Sequence, residues 1–180
     1  MSALQADGKG LTRPELAVVL AYSKIGSDTE KGTVDLNSIV KNVEKDLRIR
    51  IESTHADIII KELPKITGHK IELHSLFLNL IGNSIKFVDT AINPIIEIGA
   101  IPSEKGHHIY VKDNGIGIDK KNQDRIFEVF KRLHNQEDYE GTGIGLAHCK
   151  KIVELHHGLI SVESKIDQGT TFYLKFPRCN

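Results

Sequence analysis

LNLIGNSIKF, residues 78–87, decides the fold, because its apolar residues recur at the spacing of a buried amphipathic helix. Asn79 and Asn83 lie four residues apart on one face of this helix, and Lys86 follows three residues later. Carboxamides are poor helix formers and are costly to bury without partners. The pair therefore predicts that this face of the helix meets something polar.

The composition is that of an ordinary globular domain, with 180 residues, 39% hydrophobic and 27% charged. A formal net charge of zero and the lack of basic runs argue against nucleic-acid or anionic-membrane partners. No segment has the length of a membrane span or the apolar core of a signal peptide. Cys149 and Cys179 match no metal spacing and are expected as free thiols. We predict a cytoplasmic domain without membrane contact, whole or cut from a larger protein.

The order of predicted elements indicates an α+β domain. Helices are predicted over residues 15–24, over 36–51 with Asp35 as N-cap, over 70–87, and from the stretch 141–146 to near Gly158. Strands are predicted over residues 56–61, 95–100, 107–112, 159–164 and 170–176, and residues 25–33 are interpreted as a linker. Together they predict a two-layer α/β sandwich in which helices cover one face of a mixed sheet.

Two glycine-rich stretches suggest a nucleotide. GTGIGL, residues 141–146, precedes a helix, and helix N-termini offer N–H groups that suit phosphate. The stretch is neither a P-loop nor a dinucleotide fingerprint, because it lacks Gly-Lys-Ser/Thr and no strand leads into it. DNGIGI, residues 113–118, follows a strand and offers either an ordinary turn or an acidic acceptor for an amine such as adenine N6.

The order of these motifs carries more information than any one of them. The asparagine helix (residues 79–87), Asp-x-Gly-x-Gly (113–117), a phenylalanine-flanked segment (126–130) and Gly-x-Gly-x-Gly (141–145) resemble the N, G1, F and G2 boxes of sensor histidine kinases. The resemblance is to their ATP-binding catalytic domain, which has the Bergerat-type fold shared with gyrase, the heat-shock chaperone and mismatch-repair ATPases. It covers about residues 34–178, and RIFEVFKRLHNQEDYEGTGIGLAHCKKIVELHHGLISVES (125–164) resembles phytochrome-like kinases.

The resemblance implies a site for ATP and Mg²⁺. Asn83 and Asn79 would ligate the metal through side-chain oxygens, which suit a hard ion. Lys86 would reach the phosphates as a point charge. Asp113 would accept the adenine N6 hydrogen, and Gly115 and Gly117 would leave room for the base.

The resemblance assigns further nucleotide contacts on the C-terminal side. Phosphate contacts would come from the G2 box, namely Gly141, Thr142, Gly143, Gly145 and Leu146. Thr171 would support the adenine-binding aspartate through water. Lys131 and Arg132, in the lid between the glycine boxes, are candidates to approach the γ-phosphate or are simply part of a solvated lid face.

Asn79 also restricts the reaction. ATPases of this superfamily have a water-activating glutamate four residues before the metal asparagine, and an amide cannot serve as that general base. The resemblance therefore implies slow hydrolysis and transfer of the γ-phosphoryl group to a histidine. None of the nine histidines has the context of the family's phosphoacceptor. The acceptor is expected on a dimerisation domain of the same or a partner kinase, with a response regulator downstream in the phosphorelay.

Two other interpretations stay open. The chain could be a nucleotide-binding regulatory or interaction module without catalysis, or an anti-sigma-type serine kinase. The serine kinase is disfavoured by the phytochrome-like lid and by LAVVLAYSKI, residues 16–25, which looks like the end of a second dimerisation helix. We interpret residues 1–33 as an N-terminal segment with a short helix, either a remnant of that helix or an artificial extension, and residues 34–178 as the catalytic domain.

Overall fold

The computed structural model describes residues 30–104, 106–129 and 143–178. Its helices are α1 (Leu36–Asp46), α2 (Arg48–Thr54), α3 (Lys70–Lys86), α4 (Lys120–Gln123) and α5 (Gly145–Leu155). Its strands are β1 (Lys31–Asp35), β2 (Asp57–Ile60), β3 (Lys65–His69), β4 (Ile95–Ile101), β5 (His107–Asp113), β6 (Leu159–Ser164) and β7 (Thr170–Phe176). None of these helices combines the length and hydropathy of a membrane-spanning helix. The helix predicted over residues 15–24 lies outside the described residues.

The main sheet has five strands in the order β2-β4-β5-β7-β6. Strands β2 and β4 run parallel, whereas the β4–β5, β5–β7 and β7–β6 pairs are antiparallel. The sheet is therefore mixed, as predicted. Strands β1 and β3 form a separate antiparallel pair.

Helices cover one face of the main sheet. Buried and partly exposed side chains alternate along β5 and β7, so that Val111 and Phe172 point to the core while Tyr110 and Tyr173 do not. The buried side chains of both strands join those of α1, α3 and α5 in one hydrophobic core. The predicted two-layer sandwich is confirmed.

The helix predicted over residues 36–51 is correctly capped but too long. Asp35 Oδ1 accepts the backbone N–H of Asn37 at 2.9 Å, as expected of an N-cap. The helix then stops at Asp46 because Leu47, buried in the core, has non-helical backbone angles of φ −89° and ψ 3°. The following helix α2 has no fully buried side chain, so the chain leaves the core at Leu47.

The linker predicted over residues 25–33 is wrong for residues 31–33, which belong to β1. Lys31 pairs with His69 and Val34 with Ile66, so β1 extends the structured domain to at least residue 31. Hydrogen bonding to β3 produces this strand, and its sequence KGTVD gives no clear period-two signal.

A buried histidine joins the end of α5 to the start of α3. His156 Nδ1 donates to the Ile152 carbonyl at 2.7 Å, and its Nε2 accepts the backbone N–H of His69 at 2.9 Å. A Cβ at Gly68 would lie 2.5 Å from the ring, so only glycine fits there. Burial lowers the pKa of His156, although its bond to the Ile152 carbonyl opposes that shift. The imidazole is therefore held neutral.

We expect the free energy of unfolding to fall as the pH drops below 6.5. Below pH 6.5 the unfolded chain protonates His156 more readily than the folded chain does, because the folded pKa is lower, so acid favours unfolding. One such group gives a slope of at most about 1.4 kcal/mol per pH unit. Urea unfolding from pH 5 to 8 measures the slope. His156→Gln, which keeps an acceptor but cannot titrate, should flatten it, and an unchanged slope would contradict the prediction.

Candidate functional site

Helix α3 connects two parts of the site. Ser84 Oγ donates a hydrogen bond to Asp113 Oδ2 at 3.1 Å, which places the end of β5 against the helix. Asn79, about 7.5 Å earlier along the axis, faces the start of α5, because a Cβ on Gly145 would lie 2.9 Å from Asn79 Oδ1. The acidic strand end and the glycine-started helix thus lie against the same helix.

The two asparagines of α3 offer oxygen ligands at its half-exposed edge. Asn79 Nδ2 donates to the Ser75 carbonyl at 2.9 Å, which directs its Oδ1 toward Gly145. Asn83, one turn later, makes no side-chain hydrogen bond within residues 30–104, 106–129 and 143–178, so its carboxamide oxygen is accessible there. Such oxygens suit Mg²⁺, with phosphate oxygens and water completing the ligand set. The residues therefore fit a metal that arrives with a nucleotide.

Lys86 lies at the C-terminal end of α3, within reach of the same edge. Its ammonium group is 4.7 Å from the centre of the Phe87 ring, at a distance suited to a cation–π contact. Its long side chain can exchange this contact for one with an anion.

Asp113 is buried and its orientation is fixed by three donors. Oδ1 accepts the backbone N–H groups of Gly115 at 2.9 Å and Thr170 at 3.0 Å, and Oδ2 accepts the Ser84 hydroxyl. Burial raises the pKa of the Asp113 carboxyl, and the hydrogen bonds from Gly115, Thr170 and Ser84 oppose this shift. The result is a preorganised acceptor with little access to water.

The predicted support of this aspartate by Thr171 is wrong by one residue. Thr170 is buried and bonds to Asp113 through its backbone N–H, whereas Thr171 pairs with Lys112 and points to the other face of the sheet. Two adjacent threonines made the assignment ambiguous. Counting back by two from the buried Phe172 selects Thr170.

The glycines after Asp113 allow close backbone approaches. A Cβ on Gly115 would collide with the Phe87 carbonyl oxygen, and one on Gly117 with the Lys165 carbonyl oxygen. Gly117 also has φ +74°, a conformation that favours glycine. Both positions thus require glycine for the fold itself, and a Cβ on Gly115 would also lie 2.9 Å from Asp113 Oδ1.

Two residues of the site were not predicted. Ser84 sits among buried apolar residues of α3, and a hydroxyl in that stripe is itself a signal of a partner. Asn114 joins the loop after α3 to the Asp113 turn, because its Nδ2 donates to the Asn93 carbonyl and its Oδ1 accepts the Ile95 N–H. These hydrogen bonds of Asn114 join residues about twenty positions apart, so the local sequence does not predict them.

We expect Ser84→Ala to weaken ATP binding by about threefold to tenfold, the size of effect that the loss of one ordinary hydrogen bond has. The variant removes one of the three donors that fix the Asp113 carboxyl and should raise its pKa further. Calorimetric titration measures the affinity. Ser38→Ala, at an exposed position of α1, is the matched control. Equal affinity in parent and Ser84→Ala would contradict the role.

The glycine-rich start of α5 is described from residue 143 onward. Gly143 has φ +72°, Ile144 is the N-cap, and Gly145 opens the helix beside Asn79. Leu146 is partly buried and packs against the core. In the described part of the chain no side chain caps this helix, so no side chain there satisfies its first N–H groups. Four predicted site residues lie outside the described residues: Lys131, Arg132, Gly141 and Thr142.

Comparison with known proteins identifies a shared family. The model of the family described as "Histidine kinase-, DNA gyrase B-, and HSP90-like ATPase" matches residues 68–180, which is more than half of the chain. Cyanobacterial phytochrome A of Nostoc sp. strain PCC 7120 is 44% identical over 95% of this chain and 22% of its own length. The phytochrome-like protein Cph1 of Synechocystis sp. is 39% identical over 94% of this chain and 23% of its own. The chain thus spans about a fifth of these curated relatives.

Solved structures show the same fold. The mycobacterial sensor histidine kinase MprB aligns with a TM-score of 0.71 and 22% identity, over 84% of this chain and all of that one. The catalytic domain of histidine kinase ThkA aligns with a TM-score of 0.70 and 23% identity, over 83% of this chain and 98% of that one. At this level of sequence identity, the likeness shows that the fold is shared.

Proposed function

The chain belongs to the family of histidine kinase-, DNA gyrase B- and HSP90-like ATPases, and from this premise we propose that it transfers the γ-phosphoryl group of Mg²⁺-bound ATP to a histidine on a separate dimerisation domain. It is a histidine kinase-type ATP-binding catalytic domain. The observation that carries the proposal is the Ser84–Asp113 hydrogen bond, which brings a buried carboxylate against the asparagine-bearing helix.

The adenine end of the proposed site is Asp113. Three donors fix its two oxygens, two of them on Oδ1 and one on Oδ2, so acceptor capacity remains on Oδ2. Such an acceptor suits the exocyclic amine of adenine. Recognition by a site built to hydrogen-bond one group is strongly selective, because a base without that group leaves the carboxylate unpaired.

The phosphate end is proposed to be the half-exposed edge of α3 together with the start of α5. Asn79 and Asn83 would hold Mg²⁺, which supplies neutralisation of phosphate charge when bound. Lys86 would contact the phosphates as a cation. The N–H groups near Gly143 and Gly145, which no side chain of the described residues caps, would donate to phosphate oxygens. Lys131, Arg132, Gly141 and Thr142 stay candidates for further contacts.

We propose that the domain positions ATP for phosphoryl transfer rather than hydrolysing it. The Asn79 carboxamide donates to the Ser75 carbonyl and cannot take a proton from water. The domain would therefore hold ATP until an acceptor imidazole reaches the γ-phosphorus in line, as phosphoryl transfer requires.

The partners are proposed from the relatives. Structures of similar fold include ShkA in complex with AMPPNP and ThkA in complex with the response regulator TrrA. For this chain we propose ATP, a histidine-bearing dimerisation domain of the same or a partner kinase, and a downstream response regulator. A cytoplasmic location follows from the proposed use of ATP.

Phosphorylation in trans tests the proposal. The chain is mixed with a separately supplied histidine-bearing dimerisation domain of a phytochrome-type kinase and ATP labelled at the γ-phosphate. We expect label on the acceptor domain that acid removes and alkali does not. Binding of ATP without transfer would instead identify a regulatory module, and an acid-stable product would identify a serine kinase.

A further inference from the structure

Ser164, the last residue of β6, is the centre of a polar cluster beside the site. Its Oγ accepts the backbone N–H of Ile118 at 2.8 Å and lies 2.9 Å from both the Gly169 carbonyl oxygen and Thr170 Oγ1. The Ser164 hydroxyl therefore links Ile118, which follows the turn of Gly115 and Gly117, to the turn between β6 and β7. None of these contacts belongs to the adenine or metal set described above.

Gln123, at the end of α4, belongs to the same polar cluster. Its Nε2 donates to the Ile118 carbonyl at 3.0 Å and to the Ser164 carbonyl at 2.8 Å. One side-chain amide thus joins the segment of residues 118–129 to the edge of the sheet. Both hydrogens of Nε2 are therefore donated to backbone carbonyls, although the glutamine is only half-buried.

The cluster leads directly to Asp113. Thr170, whose hydroxyl contacts Ser164 Oγ, donates its backbone N–H to Asp113 Oδ1. The main-chain path supports the same link, because Gly169 has φ +85° and a Cβ there would collide with the Asp113 carbonyl oxygen. A continuous series of hydrogen bonds therefore runs from Gln123 through Ser164 and Thr170 to the buried carboxylate.

The segment of residues 118–129 has a second attachment further along. Ile126 is buried, and the Phe127 ring meets the Phe172 ring edge-to-face with centroids 6.4 Å apart. Phe172 lies two residues after Thr170 on β7. The segment is thus held at its start by Ser164 of β6 and further along by Phe172 of β7.

We propose that Gln123 and Ser164 are positioning residues that couple recognition of the adenine base at Asp113 to the order of residues 118–129. When the base binds to Asp113, the carboxylate and the Thr170 N–H are fixed more tightly, and the series of hydrogen bonds transmits that order to Ile118 and α4. The inference rests on the adenine-binding role proposed for Asp113.

Hydrogen exchange with adenosine as ligand tests the coupling. Adenosine has the base but no phosphate, so it cannot act through the metal edge or the start of α5. Amide exchange of residues 118–129 is measured without ligand and at saturating adenosine, after titration has established binding. In the parent chain we expect adenosine to slow exchange of these amides by about fivefold or more.

Four variants assign the effect to the cluster. Gln123→Ala leaves every donor to Asp113 in place, so it should bind adenosine within about twofold of the parent yet lose the slowing of residues 118–129. Ser164→Ala should lose the slowing and bind adenosine about fivefold more weakly. Ser164→Thr retains the hydroxyl and should restore both. Gln168→Ala, an exposed glutamine in the β6–β7 turn, is the matched control and should behave as the parent.

Equal slowing in Gln123→Ala and in the parent would overturn the proposal, because the amide would then have no part in the coupling. Bound adenosine without slowing in the parent would also overturn it, and would leave the proposed kinase function intact. If the parent binds neither adenosine nor ATP, the proposed function itself fails, and the coupling with it.

Discussion

Asp113→Asn is expected to weaken ATP binding by about 100-fold or more and, in the absence of nucleotide, to make the domain more stable. The amide can keep Oδ1 as acceptor for the Gly115 and Thr170 N–H groups, so the local fold should persist. The Asn Nδ2 group takes the place of Oδ2. It donates a hydrogen toward the position where the proposed adenine amine also donates one, so the two NH₂ groups face each other without an acceptor. Such a buried mismatch has a large effect on affinity.

The gain in stability follows from the direction of the pKa shift. Burial raises the folded pKa of Asp113 above its ordinary value of 3.8, so the folded chain holds its proton more tightly than the unfolded chain. The contribution of the carboxyl to stability is therefore full below pH 3.8 and is lost as the pH rises through the folded pKa. Asparagine does not titrate, so the variant does not lose stability in this way as the pH rises. The difference in Tm between variant and parent should be positive at pH 7 and shrink toward pH 4.

Calorimetric titration with ATP and thermal unfolding at several pH values measure both effects on the same samples. Asp124→Asn, which removes an exposed carboxylate near the end of α4, is the control and should change neither quantity appreciably. Parent-like ATP affinity in Asp113→Asn would remove Asp113 from the binding site. A lower Tm at pH 7 would show that its hydrogen bonds outweigh its burial.

Asn83→Ala is expected to abolish most of the dependence of ATP binding on Mg²⁺. The half-exposed Asn83 carboxamide makes no side-chain hydrogen bond within the described residues, so its removal should leave the fold intact. Affinity for ATP with Mg²⁺ should fall to the value that the parent shows with a chelator. Phosphotransfer should fall by about 100-fold to 1,000-fold, because the developing phosphate charge would lack its counterion.

Titrations with Mg²⁺ and with EDTA separate this effect from a general loss of affinity. Asn42→Ala is the matched control, because it removes an exposed asparagine from helix α1 with the same gain in helix propensity. If Asn83→Ala retains the full difference between Mg²⁺ and EDTA, the metal is held elsewhere.

The sequence predicted those parts of the fold whose pattern is local. Helix α3 and strands β6 and β7 have the predicted bounds within a residue, because amphipathic periodicity and flanking glycines mark them. Strand β1 was missed because its pairing with β3 depends on residues thirty or more positions away. The break at Leu47 was missed because the apolar repeat continues through it, and only core packing decides where the chain leaves.

The candidate site divides in the same way. Motif spacing was enough to select Asp113, Asn79 and Asn83 as candidates, and their roles in binding stay predictions. Identifying the partners of Asp113 required three-dimensional information, since Ser84 reaches it from another element and Thr170, rather than Thr171, faces it across the sheet. A choice between adjacent residues depends on strand register.

Helix α3 carries Asn79 and Asn83 and, through Ser84, holds Asp113. The span between the proposed metal-binding and base-binding ends is therefore set by about one and a half turns of a single helix. Inserting or deleting one residue between Asn79 and Ser84 would rotate one end relative to the other by about 100°. A change in the length of this helix would therefore disturb both proposed ends of the site at once.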